Sequence, residues 1–145
     1  MALYLGDKFT KEYRRRPPGF EAAENEIWQA FLETLEDAYI GFWYNVKLGL
    51  DRITAEQRKD PVERMKEQLA LKRIDAIGHR TNVYDLIEVR RHAGPGSLGQ
   101  LFTYEALWLQ YGLTDLSYTL LLVTDFIDID TLAASKAAGI VVINV

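Results

Sequence analysis

The sequence predicts an α/β domain built on one mixed sheet, and three observations carry that expectation. Apolar residues recur at helical spacing over 21–38, at Ile27, Phe31, Leu35 and Ala38. Three short stretches rich in aromatic and β-branched residues follow, at 42–48, 74–78 and 84–90, the last two separated by the turn-forming Arg80-Thr81-Asn82. A long helical pattern over 98–111 then leads into 117–123, where Leu120-Leu121-Leu122-Val123 is apolar on both faces, as in a buried parallel strand. A short helix over 131–138 and a strand over 140–145 complete the order α-β-β-β-α-β plus α-β. That order implies an antiparallel three-strand meander, a helical crossover and flanking helices.

Each element has a local cause. Residues 1–20 end in Arg14-Arg15-Arg16-Pro17-Pro18-Gly19, which breaks regular structure and reads as an N-terminal arm ahead of a domain over 21–145. Gly41 closes the first helix and Gly49 ends the first strand. Asp60-Pro61 looks like an N-cap and a first-turn proline, so a charged helix is expected over 61–70. Gly94-Pro95-Gly96 interrupts the chain before the 98–111 helix, where Leu101, Tyr104 and Trp108 share one face and Gly112 is the C-cap. The expected core contains Ile27, Phe31, Ile74, Ala76, Ile87, Val89, Leu101, Trp108, Leu120 and Leu122.

Composition narrows the chemistry. A chain of 145 residues with 48% hydrophobic and 26% charged residues fits one globular domain. The absence of cysteine removes disulfides, thiolate metal sites and thiol nucleophiles. With two histidines, His79 and His92, any metal is expected on oxygen ligands, which points to Mg²⁺, Mn²⁺ or Ca²⁺. No apolar run approaches the length of a membrane span, and Asp7, Lys8, Lys11 and Glu12 precede any signal-like core. A cytoplasmic protein, or a component of a virion, is the expectation. The net charge of −4 is unevenly spread: residues 1–20 carry five bases against two acids and residues 51–73 seven against five, whereas 21–37 hold six acids and no base. Such segments allow a local phosphate-facing surface or a solvated mixed-charge one.

Chemistry concentrates on the second and third strands. Glu88 and Arg90 are two apart and so share a face. A four-residue connection over 80–83 pairs residue 79 with 84 and residue 75 with 88, setting Asp75 beside Glu88. Two carboxylates in an apolar sheet need a cation or a shared proton. Spacing alone leaves two readings, a solvent-facing hairpin edge or a divalent-metal site with the Val89 carbonyl as third ligand.

The order of these residues resembles the PD-(D/E)XK nuclease superfamily. Asp75, a hairpin, then Glu88-Val89-Arg90 after Leu86-Ile87 look like its D…E-x-K core. The first helix carries Glu26, where many members have a further acidic ligand. Gln100-Leu101-Phe102-Thr103-Tyr104 looks like the Q-x-x-x-Y motif of the RecB-like branch, with Gln100 and Tyr104 one helical turn apart. The resemblance covers roughly residues 21–145. It implies a restriction-endonuclease-like fold and Mg²⁺- or Mn²⁺-dependent hydrolysis of DNA. It also implies metal ligands at Glu26, Asp75, Glu88 and Val89, and a catalytic set of Asp75, Glu88, Arg90, Gln100 and Tyr104. The family's lysine position is held by Arg90, whose guanidinium is wider and does not deprotonate; Lys47, Lys66 and Lys72 are candidates to fill in. An alternative is the same fold without catalysis, as a structural or adaptor subunit of a larger assembly such as a phage particle, with a homo-oligomer a further expectation.

The other conspicuous residues read as structural. His79 is expected in a turn, His92 in a solvated loop, and Trp28, Trp43 and Trp108 in the packing. The 94–99 loop lacks a Walker sequence. The Arg14–Arg16 run could clamp a backbone or belong to a free arm.

Overall fold

A computed structural model describes residues 5–35, 38–48, 59–63, 73–111 and 117–145. Among the described residues, six strands lie in one sheet in sequence order. Strand β1 (Lys8–Thr10) is antiparallel to β2 (Gly41–Lys47), β2 to β3 (Arg73–His79), and β3 to β4 (Val83–Arg90). Strand β5 (Ser117–Thr124) runs parallel to β4, and β6 (Val141–Asn144) parallel to β5. The meander and the parallel partner of 84–90 are therefore as expected. The new element is β1, an edge strand within the segment read as an arm; its three residues are too few for a period to show.

Helices cover both faces. Helix α1 (Ala22–Glu33) buries Ile27, Trp28, Phe31 and Leu32 against Phe42, Tyr44, Ala76, Ile87, Val89, Leu121 and Val123. Helix α2 (Pro95–Tyr111) buries Leu101, Tyr104 and Trp108 against Tyr84, Leu86, Leu120 and Leu122 on the other face. Helix α3 (Ile129–Ala137) connects β5 to β6 and is capped by Asp128, whose carboxylate accepts from the Thr131 N–H at 2.8 Å. All ten expected core residues are buried.

Boundaries move for identifiable reasons. Helix α1 ends at Glu33 rather than 38, where the Thr34 hydroxyl turns back to the Phe31 carbonyl at 2.7 Å. Helix α2 starts at Pro95 rather than 98, because a proline in the first turn forfeits only an N–H that has no helical partner. In the expected 61–70 helix, residues 61–63 are helical and the Asp60 carboxylate accepts from the Val62 N–H at 2.9 Å. The rest of that helix, with Lys66, Lys72, Gly49 and Gly112, lies outside the described residues.

One irregularity positions the site. Side chains two apart on a strand ordinarily share a face, yet Tyr44 and Ala76 join the α1 side while Val46 and Ile74 join the α2 side. The pairings Tyr44↔Ala76 and Val46↔Ile74 stay in register, so the alternation is reset at Asn45 and Asp75 between them. Asn45 takes a left-handed backbone, φ +53°. Gly19 makes room for its side chain: a Cβ there would stand 2.6 Å from Asn45 Cγ.

Candidate functional site

Strands β3 and β4 part where the acidic residues stand. Their ladder runs from His79↔Tyr84 to Ala76↔Ile87 and stops. Beyond it β3 stays paired with β2 through Lys47↔Arg73, and β4 with β5 through Arg90↔Thr124. The two strands thus open into a fork, with Asp75 on one prong and Glu88 on the other. The Asp75 carboxylate accepts from the Val89 N–H at 2.9 Å, taking the place of a ladder bond. Asp75 is the neighbouring group that acts most strongly on the Glu88 carboxyl.

Glu88 is almost wholly enclosed, at 4% exposure. The Tyr104 hydroxyl donates to its Oε1 at 3.3 Å, and the Arg90 guanidinium stands 3.8 Å from its Oε2. No hydrogen-bond donor reaches Oε2. Burial, and then the neighbouring Asp75 carboxylate, push the Glu88 carboxyl far above its ordinary range. Burial beside the same two acids also raises the Tyr104 phenol, so Tyr104 is a neutral donor here. Gln100 sits one turn before Tyr104, half-buried.

The acid that α1 contributes is Glu24. It is half-buried and feels both Asp75 and Arg90; burial, with Asp75, raises its carboxyl. Its Oε1 also accepts from the Glu21 N–H at 2.9 Å, closing a capping box. Glu26, the residue expected in this role, is exposed and lines a separate hollow of about 160 Å³ with Arg91 and Asp125. A readable signal existed: Glu24 lies three, four and seven residues before Ile27, Trp28 and Phe31, on the face that packs against the sheet.

Other singled-out residues have structural partners. Lys8 Nζ lies 2.8 Å from His79 Nδ1 and over the Trp43 ring, and His79 stacks on Tyr84. The His92 N–H donates to Asp125 Oδ1 at 2.9 Å, and Arg91 pairs with the same carboxylate at 3.6 Å. Trp28 and Trp108 are fully buried. Arg14 donates to the Lys11 carbonyl, folding its guanidinium onto its own segment.

Among the described residues, no three His, Cys, Asp or Glu side chains form a metal cage by themselves. The donor set does fit a hard cation that keeps water and substrate ligands, since Mg²⁺ is commonly held by one or two carboxylates. The orphaned Glu88 Oε2 beside Asp75 is the observation behind that fit. No protein-family model, curated protein or solved structure matches the chain. Among the described residues, no helix is long and apolar enough to cross a membrane.

Proposed function

We propose that the fork is the active site of a divalent-metal-dependent nuclease that hydrolyses DNA phosphodiesters. The observation that carries the proposal is a buried Glu88 carboxyl with one orphaned oxygen beside the half-buried Asp75, at the point where two strands separate. Such a pair must recruit either a proton or a cation. Asp75, Glu88 and the Val89 carbonyl would hold Mg²⁺ or Mn²⁺, with Glu24 rather than Glu26 adding negative charge beside them, and the metal would polarise a phosphate and acidify a water. Tyr104 holds Glu88 in place, Gln100 lies on the same helix face, and Arg90 supplies positive charge at the rim. DNA as the polymer rests on the order of the sequence motifs.

Calorimetric titration of the protein with Mn²⁺, followed by plasmid cleavage in Mn²⁺ and Mg²⁺, tests the proposal. Asp75→Ala and Glu88→Ala should each abolish Mn²⁺ binding and cleavage while the fold persists. Absence of Mn²⁺ binding to the wild-type protein would end it. A second reading, a nuclease-like fold serving as a structural or adaptor subunit, is favoured by one observation. Arg90 already brings a cation within 3.8 Å of the orphaned oxygen. Metal binding without cleavage, or neither, belongs to that reading.

A further inference from the structure

We propose a second binding site, at the other end of the sheet, for a small monocarboxylate with an apolar body. Asp85 lies on the opposite face of β4 from Glu88, about 10 Å along the strand. A hollow of about 440 Å³ opens there, within the size range of small-molecule pockets. It opens past the end of α1 at Glu33, on the α1-side face of the sheet. Its walls are apolar: Phe31 and Leu35 beside the end of α1, Leu121 of β5, and Val141 and Ile143 of β6. Val141 is 48% exposed among the described residues.

One wall is polar and already rigid. Asp85 is 3% exposed, yet both its oxygens are satisfied. Tyr39 donates to Oδ2, while Thr119 and Arg80 donate to Oδ1, the latter at 2.7 Å. A saturated carboxylate of this kind is a poor lure for a cation. The spare capacity is on the donor side: Arg80 carries five side-chain N–H groups, Asp85 engages its Nη2, and although the unpartnered Nε is buried, the side chain is 38% exposed and lines the hollow. An apolar cavity whose one polar wall offers surplus guanidinium donors is complementary to an acceptor head, best an anionic one. Asp85 balances the guanidinium, so a single negative charge suits the site better than a phosphate dianion.

The probe is decanoate, kept below its aggregation concentration, with decanol as the uncharged counterpart, each titrated calorimetrically into the metal-free protein. Decanoate should bind one to one and at least about tenfold tighter than decanol, a margin of one charge-assisted hydrogen bond. From hexanoate to decanoate, affinity should rise about fourfold per methylene. Arg80→Gln should erase the preference for the acid. Val141→Trp, which fills the hollow from an exposed position, should weaken both ligands. Glu88→Gln should change neither, which separates this site from the fork. Equal affinity for decanoate and decanol, no binding of either, or binding undiminished by Val141→Trp overturns the proposal. The wild-type comparison and Val141→Trp decide the matter even if Arg80→Gln, by stranding Asp85, fails to fold.

Discussion

Replacing Glu88 by Gln tests the electrostatics of the fork without altering its shape. In the folded protein, burial and Asp75 push the Glu88 carboxyl up to about 10, from an ordinary 4.5. The native state therefore keeps a proton that the unfolded chain releases above pH 4.5. With the folded pKa raised, this stabilisation is fully present below pH 4.5 and is lost progressively as pH rises towards the folded value. Between pH 4.5 and 7 the loss is roughly 2.5 units at 1.36 kcal/mol each, about 3 kcal/mol. The glutamine amide still accepts from Tyr104 and offers an N–H towards Asp75, but it has no proton to lose. Urea unfolding of both proteins in chelator at pH 5, 6, 7 and 8 measures the difference. Wild-type stability should fall relative to Glu88→Gln across this series, with the variant the more stable at pH 8. Mn²⁺ at a hundredfold its dissociation constant should return about 2.7 kcal/mol to the wild type alone. Parallel pH profiles, or equal stabilisation of both proteins by Mn²⁺, would refute the reasoning.

Three further outcomes are expected. Arg90→Lys should raise plasmid cleavage if the fork is a nuclease limited by its arginine, because an ammonium fits beside the attacking water; unchanged cleavage favours the adaptor reading. Glu24→Gln should weaken Mn²⁺ binding severalfold in calorimetry, whereas Glu26→Gln should leave it unchanged, since Glu24 feels Asp75 and Glu26 lines a separate hollow. Trp108→Ala should cost about 3–5 kcal/mol in chemical denaturation, as expected for a large side chain with no exposed surface.

Much of this molecule is determined by local sequence patterns. Period-2 stretches and the tight turn at 80–82 define β3 and β4, and the register His79↔Tyr84 follows from the connection length alone. That register carries Asp75 opposite Glu88, because a one-residue slip would put Ile77 and Leu86 out of the core. The helical spacing of Leu101, Tyr104 and Trp108 likewise determines which side of α2 meets the sheet. Tertiary structure decided the rest. How the half-buried Asp75 meets the buried Glu88 depends on the parting of β3 from β4 and on the reset at Asn45, neither of which leaves a period in the sequence. The choice of Glu24 over Glu26, by contrast, was legible in the helical spacing of Glu24 from Ile27, Trp28 and Phe31. The buried Asp85 gathers donors from Tyr39, Arg80 and Thr119, three separate segments of the chain. An isolated Asp in an apolar strand carries no sign of where its partners will come from. Local periodicity determines elements because side-chain direction repeats along one strand or helix; sites built from several elements form only when packing sets their distances.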